Sequence, residues 1–308
     1  MSITPSAVPK HANQLVIAGA GPAAQALVRR LAGNSTPSNS REQPGSAAFH
    51  GTITVLSNRD DCPDALLELA ALPQVSVRFG QAASFIDVQA GTVTTTEGLE
   101  FPYDQLVIAT GSSPLFPPVQ GSARSLSYST IDDAEQIGAA VKDITRVLGR
   151  RPLGILVGTG PAAGQAEAVL RARGVRPIRT TLRPAAVMPS IAGSVLPATG
   201  IVFEDGSSMN GDLVVLAEER LPRNALAESA GLQTAPDGGI RVGRDFTASV
   251  QGIWAIGDAA SRDGMRLGLV FSSNAAAAHC AARLEEDARL RASSPARSPR
   301  SARSAAAA

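Results

Sequence analysis

Two short glycine-containing segments have the residue types and spacing needed to hold a phosphate group. The first, with the sequence GAGPAA, begins at Gly19, directly after the apolar run 15–18 and before a stretch with helical spacing of apolar residues. Gly19 permits a tight turn, Gly21 lets a diphosphate approach the backbone, and Ala24 is small enough for close helix–sheet packing. The N-terminus of the helix, where Pro22 suits the first turn, supplies N–H groups and partial positive charge to phosphate oxygens.

The second segment, GTGPAA, begins at Gly158, after the apolar run 155–157 and before a predicted helix at 162–173. Gly160 and Ala163 have the positions that the second glycine and the small residue have in the first segment. The same physical reasons therefore apply. Two copies in one chain indicate two bound dinucleotides, with electrons passing between them.

A third segment, 252–258, reads as a buried strand that ends in Gly257-Asp258. At the carboxyl end of a parallel strand, an acid can accept hydrogen bonds from ligand hydroxyls, and Gly257 keeps the approach open. The alternative interpretation is that Asp258 is an ordinary helix N-cap.

These segments lie in a repeating pattern of strand, glycine turn and helix, which begins near residue 15 and again near residue 155. Such a pattern predicts parallel sheets with right-handed crossovers. The predicted fold class is α/β, with two Rossmann-like, three-layer nucleotide-binding domains. Residues 1–12 are predicted to form a flexible arm, and the Ser-, Pro-, Arg- and Ala-rich residues 291–308 a disordered tail.

The composition excludes several classes of protein. The 308 residues are sufficient for about two domains, and 28 basic against 27 acidic residues argue against nucleic-acid binding. No run of about 18 apolar residues indicates a membrane span. Cys62 and Cys280 are far apart, and the three histidines have no metal-ligand spacing, so no metal site is predicted and the cytoplasm is the expected compartment.

Further segments match a known family in order and spacing. With the three motifs, 103–112 and 247–251 resemble the two-dinucleotide flavoprotein family of pyridine nucleotide oxidoreductases. Segments 129–133 and 226–232 are similar to the flavin module of assimilatory nitrite reductase large subunits and of ferredoxin and rubredoxin reductases. The resemblance covers residues 14–282.

The resemblance implies a discontinuous FAD-binding domain, 13–125 and 243–290, and an inserted NAD(P)H-binding domain, 126–242. It also implies that the helix opening at 272–274 points its N-terminus toward the flavin ring. The residues implied to contact FAD are Gly19, Gly21, Pro22, Ala23, Ala24, Asn58, Ala83, Ala109, Thr110, Gly111, Gly257 and Asp258. Those implied to hold NAD(P)H are Gly158, Gly160, Ala163 and Arg183.

The chain also departs from the family pattern. Asn58 stands where the family has a glutamate for the adenosine ribose, and the segment 60–72 is short, without the helix that normally lies beside the flavin ring. Arg179 or Arg183 could meet a 2′-phosphate, or both could belong to an exposed basic loop. Glu219 replaces a glycine that lets the nicotinamide close on the flavin, and a carboxylate there would crowd and repel an anionic cofactor. The FAD signature is thus better preserved than the NAD(P)H signature.

The function implied is that of an FAD-dependent NAD(P)H oxidoreductase that passes electrons to a separate redox protein. Hydride transfer to flavin N5 needs no side-chain acid or base, so no catalytic residue is predicted. The alternative is a degenerate, FAD-binding relative that acts as a non-catalytic partner or regulatory subunit. A disulfide reductase is disfavoured because the chain lacks a cysteine pair.

Overall fold

A computed structural model describes residues 13–33, 49–61, 63–189, 199–217 and 219–293. The predicted arm 1–12, Cys62 and residues 294–308 of the predicted tail lie outside the described residues. The last helix continues through Ser293, so the tail boundary predicted at residue 291 is corrected by three residues.

The described strands follow one another closely along the chain. Those of the first half are β1 (Asn13–Ala18), β2 (Gly51–Leu56), β3 (Val75–Arg78), β4 (Ala83–Asp87), β5 (Thr92–Thr95), β6 (Glu100–Pro102), β7 (Gln105–Ile108), β8 (Ser112–Pro114), β9 (Leu126–Tyr128) and β10 (Leu153–Val157). Those of the second half are β11 (Arg176–Thr180), β12 (Pro184–Pro189), β13 (Thr199–Phe203), β14 (Ser208–Gly211), β15 (Leu213–Ala217), β16 (Arg220–Pro222), β17 (Ile240–Arg241), β18 (Ile253–Ala255), β19 (Ala260–Arg262) and β20 (Met265–Arg266).

Two of the described α-helices directly follow the glycine turns, as the sequence predicts. The described α-helices are α1 (Pro22–Gly33), α2 (Asp64–Ala70), α3 (Asp133–Leu148), α4 (Gly160–Ala172), α5 (Ala225–Ser229) and α6 (Ser273–Ser293). Helix α2 occupies the segment 60–72, for which the sequence predicted no helix, and it buries Leu66 and Leu69.

The first sheet has the strand order β18-β7-β1-β2-β3, and every pair in it is parallel. Residues 15–18 of β1 are all buried, as expected of a parallel strand that is covered on both faces. Helices α1 and α6 pack against each other and share one hydrophobic core with this sheet. The antiparallel hairpin β4–β5 contributes Ile86 and Val93 to the same core.

The second sheet has the order β11-β10-β15-β9 and is also parallel throughout. Helices α3 and α4 share a second core with it, in which Ile137, Ala163, Leu170 and Val215 are buried. The antiparallel sheet β12-β13-β14 forms a third core with β10 and β15. The predicted α/β class with two Rossmann-like sheets is therefore confirmed.

The chain crosses between the two sheets at two places. Strand β8 pairs antiparallel with β16, with Ser112 opposite Pro222. Strand β9, near the predicted domain boundary at residue 126, is already an edge strand of the second sheet. This crossing brings residues 220–226 beside the carboxyl ends of the first sheet.

Candidate nucleotide-binding sites

A cleft of about 1290 Å³ opens at the carboxyl ends of β1, β2, β7 and β18. In open α/β sheets this edge is where nucleotides bind. The residues predicted for FAD that line the cleft are Gly19, Gly21, Pro22, Ala23, Asn58, Ala83, Ala109, Thr110, Gly111, Gly257 and Asp258. The remaining one, Ala24, is buried beneath the loop, where its small side chain permits helix–sheet packing.

The backbone of the first loop requires glycine at its first position. Gly19 has φ +113°, and a Cβ there would lie 2.2 Å from the carbonyl oxygen of Ala109. The Gly19 N–H donates to the carbonyl of Leu56 at 2.8 Å, which ties the loop to the end of β2. The loop is thus held between the ends of two neighbouring strands.

The second glycine of this loop faces open space. A Cβ built on Gly21 would have no heavy atom within 4 Å. Gln25 folds back to donate to the carbonyl of Ala20 at 2.9 Å, and no acidic residue lies in the first turn of α1. The first amides of α1 therefore point toward the cleft without a carboxylate beside them, which is the arrangement that binds a diphosphate.

Asp258 lies in a buried charged cluster at the end of β18. Its Oδ2 accepts from Ser112 Oγ at 2.7 Å and from Arg266 Nη1 at 2.6 Å, and both ionic side chains are less than a tenth exposed. Its Oδ1 is buried without a hydrogen-bond partner. An orphaned carboxylate oxygen in the wall of a cleft is suited to accept a hydroxyl hydrogen from a ligand.

The sequence missed the partners of Asp258. Arg220 Nε donates to Ser112 Oγ at 2.8 Å and lies 3.9 Å from Asp258 Oδ2. Arg266 also donates to the carbonyl of Ser129 at 3.2 Å. Ser112, Arg220 and Asp258 are far apart in the chain, so no local pattern links them. Arg266 gives a local signal, because it is the charged residue within the otherwise apolar segment 265–271.

The predicted junction residues are fixed by the crossing strand. Thr110 Oγ1 donates to the carbonyl of Arg223 at 2.9 Å, and the Arg223 N–H donates to the carbonyl of Gly111 at 2.9 Å. Arg223 Nη1 in turn donates to the carbonyl of Thr110 at 3.2 Å. The wall of the cleft is therefore shared by the two predicted domains.

Asn58 follows β2 and is exposed at the edge of the cleft. The neighbouring Arg59 does not reach into the cleft with an unpaired charge, because its guanidinium forms a two-point ion pair with Asp61. The pKa of Asp61 is lowered by its hydrogen bond to Arg59. Asn58, which stands where the family pattern has a glutamate, is therefore an uncharged polar side chain at the edge of the cleft.

The N-terminus of α6 lines the cleft through Ser273 and Ala276, as the resemblance implied. However, the carboxylate of Asp132 accepts from the Ser273 N–H at 3.0 Å and from its hydroxyl at 2.6 Å. A negative side chain therefore already caps this helix. The helix end that the resemblance implies to face the flavin ring is therefore already partly neutralised by Asp132.

The second glycine loop, like the first, requires glycine at its first position. Gly158 has φ +146°, and a Cβ there would lie 2.6 Å from the carbonyl oxygen of Ala217, at the end of β15. Ala163 is fully buried where α4 packs on the second sheet. The backbone of this loop therefore fits a nucleotide diphosphate.

The mouth of the second loop contains an acidic side chain. Glu219 Oε1 accepts a hydrogen bond from Thr159 Oγ1, the hydroxyl of the residue just before α4. The same oxygen would lie 3.6 Å from a Cβ on Gly160. Glu219 thus lies beside Gly160, where the loop would let a diphosphate approach the backbone. In this position the negative charge of Glu219 does not fit an anionic cofactor.

The two arginines considered for a 2′-phosphate lie apart. Arg179, at the end of β11, donates from Nε to the carbonyl of Gly158 at 3.4 Å and lies 3.5 Å from Glu167. The Arg183 guanidinium instead stacks 4.7 Å from the ring of Phe116, whose side chain is exposed. The structure therefore brings Arg179 to the second loop and leaves Arg183 at a distance from it in the fold.

Redox or metal side chains do not join these sites in the part of the chain that the structure describes. Cys280 is fully buried in α6, and burial raises the pKa of its thiol far above the ordinary value. Among the described residues, no group of three or more His, Cys, Asp and Glu side chains could hold a metal ion. No described helix is both long enough and apolar enough to cross a membrane.

The fold contains two parallel sheets, each with a glycine loop of the dinucleotide-binding type, and comparisons with known proteins agree with this description. The family described as pyridine nucleotide-disulphide oxidoreductase matches residues 13–178 and 160–283. The chain belongs to this family.

Among relatives, the chain is 29% identical over 243 residues to the nitrite reductase [NAD(P)H] large subunit of Klebsiella oxytoca, covering 70% of this chain and 25% of that protein. It is 27% identical over 302 residues to the nitric oxide reductase FlRd-NAD(+) reductase of Aeromonas hydrophila, covering 87% and 76%. The chain therefore spans about a quarter of the nitrite reductase subunit and about three quarters of the second relative.

Among solved structures, the covalent putidaredoxin reductase–putidaredoxin complex matches with a TM-score of 0.53 and 21% identity, over 90% of this chain and 76% of that chain. A NAD-dependent persulfide reductase from A. fulgidus matches with a TM-score of 0.51 and 20% identity, over 89% and 59%. At these identities the matches support the fold.

Proposed function

We propose that this protein is an FAD-dependent NAD(P)H oxidoreductase that delivers electrons to a separate redox protein. The observation that carries the proposal is the first cleft, which is lined by a glycine loop, by the open N-terminus of α1 and by Asp258, whose Oδ1 is buried without a hydrogen-bond partner. Relatives named as NAD(P)H nitrite reductase, FlRd-NAD(+) reductase and putidaredoxin reductase support the same activity.

The residues of the first cleft have distinct roles in this proposal. The loop at Gly19 and Gly21 and the first amides of α1 hold the FAD diphosphate. Asp258 accepts from a hydroxyl of the ribityl chain through Oδ1, while Arg266 orients the carboxylate through Oδ2. Ala83, Asn58, Ala109, Thr110 and Gly111 complete the walls.

When bound, FAD supplies two-electron uptake from a nicotinamide and one-electron delivery to an acceptor. The described residues place no cysteine pair or metal cluster next to the cleft that could be the next carrier. The acceptor in this proposal is a separate redox protein of the nitrite reductase, ferredoxin or rubredoxin type, which the names of the relatives support. The predicted location is the cytoplasm, on the basis of the sparse, widely spaced cysteines.

The domain assignment follows the two sheets. We infer that 13–125 and 243–290 form the FAD domain and that 126–242 forms the nicotinamide domain, since the strands of the two parallel sheets fall within these limits. Residues near the end of the second range nevertheless pack with the first sheet, because Leu226, Leu232 and Ile240 are buried in its core. For the nicotinamide domain, Gly158, Gly160 and Ala163 stay the proposed diphosphate residues. Arg183 stays a prediction from sequence, and the position of Arg179 makes it the stronger candidate for a 2′-phosphate.

A steady-state assay tests the proposed activity. The chain is reconstituted with FAD, unbound flavin is removed, and oxidation of NADH or NADPH is followed with ferricyanide as a one-electron acceptor. Turnover that requires added FAD is the expected result. Retained FAD with no turnover by either nucleotide would instead support a second candidate function, a non-catalytic FAD-binding partner, which the acidic side chain at the second loop favours.

A further inference from the structure

The two glycine loops differ in what lies at the N-terminus of the helix that follows. At the first loop, the space beside Gly21 is open for at least 4 Å. At the second loop, the corresponding space beside Gly160 faces Glu219 Oε1. A diphosphate approaches the backbone at the second glycine of such a loop. The difference between the two loops therefore lies at the place where a diphosphate would bind.

Glu219 is held at this position by the backbone of the second sheet. It lies two residues beyond Ala217, the last residue of β15, which is the parallel neighbour of β10. The carboxyl ends of β10 and β15 meet at one edge, so the segment after β15 lies beside the loop after β10. The carbonyl of Glu219 also accepts from the N–H of Leu115 at 2.9 Å, which ties it to the crossing segment.

The charge of Glu219 interacts with the loop rather than with a neighbouring cation. Its side-chain hydrogen bond is to the Thr159 hydroxyl, and within the described part of the chain no basic side chain forms an ion pair with it. A carboxylate next to the N-terminus of a 13-residue helix is favoured by the partial positive charge there. A nucleotide diphosphate would use the same helix end, and it carries charge of the same sign.

We propose that Glu219 competes with the diphosphate of a pyridine nucleotide for the N-terminus of α4 and thereby sets how tightly this protein binds NAD(P)H. The inference rests on the proposed function, in which the second loop is the nicotinamide site. Binding requires that the Glu219 side chain leave Thr159 and turn away from Gly160. Glu219 is thus an affinity-determining residue and has no part in the chemical step.

Calorimetric titrations of the FAD-loaded protein test this inference. ADP-ribose is the main probe because it carries the diphosphate but no nicotinamide, and adenosine is the probe without phosphate. We expect Glu219→Gly to bind ADP-ribose about fivefold more tightly than the unsubstituted protein, because binding then no longer requires a carboxylate to be displaced from the helix end, and a like charge left at about 4 Å would cost about 1 kcal/mol in water-like surroundings. Glu219→Gln, which keeps the shape and removes the charge, should give an intermediate gain.

The matched control is Glu204→Gln, which removes an exposed carboxylate from the same predicted domain, in the turn after β13. It should leave ADP-ribose binding unchanged, and none of the variants should alter adenosine binding. The gain in the Glu219 variants should shrink as ionic strength rises, because screening weakens the repulsion. Thermal unfolding of each variant verifies that it is folded.

Four results would overturn the inference, of which the first three concern relative affinities. These three are equal ADP-ribose affinity in all variants, an equal gain for adenosine and ADP-ribose, and tighter NADH binding without tighter ADP-ribose binding, which would assign Glu219 to steric crowding of the nicotinamide. Absence of ADP-ribose binding in every variant would also overturn it. Failure of the proposed function is a separate result, seen as loss of FAD from the protein or as no electron transfer in the ferricyanide assay.

Discussion

The first and second glycine loops share a sequence pattern and the positive φ of their first glycine, yet they differ at the second glycine, where Gly160 has positive φ and Gly21 does not, and in their charged surroundings. Both follow a buried parallel strand, and both begin with a glycine that has positive φ and contacts a neighbouring strand end. At the first loop the nearby acid, Asp258, is paired with Arg266. At the second loop the acid, Glu219, lies at the helix end itself. A glycine motif therefore specifies the loop itself. Whether a phosphate group can reach that loop depends on the residues that follow the neighbouring strand, such as Glu219 after β15.

The largest expected effect is the difference in stability between two variants, each of which removes the charge of one of these acids. Asp258→Asn leaves the buried Arg266 guanidinium without a counter-charge, so the free energy of unfolding should fall by about 3–5 kcal/mol. Glu219→Gln, which removes no ion pair, should change it by less than about 0.5 kcal/mol. Chemical denaturation of both variants measures the difference. Equal destabilisation would contradict the contrast between the two acids.

The next effect concerns the backbone of the first loop. Gly19→Ala places a Cβ against the Ala109 carbonyl in a left-handed conformation, so the free energy of unfolding should fall by about 2–5 kcal/mol and FAD should be lost. Gly98→Ala is the matched control, because Gly98 also has positive φ but open space around its Cβ position. Denaturation midpoints and retained flavin are the measurements. If Gly98→Ala is as harmful as Gly19→Ala, the contact with Ala109 is not the cause.

A smaller and more selective effect is expected at the open position of the first loop. Gly21→Ala meets no atom of the protein, so the free energy of unfolding should change by less than about 0.5 kcal/mol. The added methyl group would occupy the space through which the diphosphate approaches, so FAD affinity should fall about tenfold or more, which is about 1.4 kcal/mol. Flavin titration of the apoprotein measures this. Unchanged FAD affinity would argue that the diphosphate does not use this loop.

The smallest effect is expected at the start of β10, the strand that leads to the second loop. Burial works to raise the pKa of Asp212, but hydrogen bonds from Arg150 and from the Leu153 N–H outweigh it and lower that pKa. Asp212→Asn should therefore cost about 1–2 kcal/mol at neutral pH.

The pH dependence of this cost has a defined sign. Because the folded-state pKa is lowered, the contribution of Asp212 is present above the unfolded pKa of about 3.9 and is lost as pH falls through the folded-state value. The stability difference between the unsubstituted protein and Asp212→Asn should thus narrow in acid. A difference that stays constant down to strongly acidic pH would contradict this assignment.

The sequence predicted the parallel sheets and the first loop because these depend on local order. An apolar run such as 15–18, followed by glycine and a helical pattern, can be recognised without knowing what lies opposite. The contact residues of the first cleft were predicted largely through the family resemblance. The structure places those residues, with the buried Ala24 beneath them, around one cleft.

The remaining features depend on contacts between distant parts of the chain. Arg266 and Ser112 meet Asp258 only because strands far apart in sequence end at one edge of the sheet. Asp132 caps α6 across 141 positions, which no local pattern signals. Glu219 was recognised as a departure from the family pattern, but its bond to Thr159 follows from the pairing of β10 with β15.

The most direct test of the account is the visible spectrum of the FAD-reconstituted protein under anaerobic conditions, before and after addition of NADH and then NADPH. The account predicts one tightly held flavin per chain, with a perturbed spectrum that bleaches when at least one of the two nucleotides is added. Gly21→Ala, treated in the same way, should retain much less flavin. A protein that retains no flavin after reconstitution would contradict the assignment of the first cleft, and a bound flavin that neither nucleotide reduces would contradict the oxidoreductase activity.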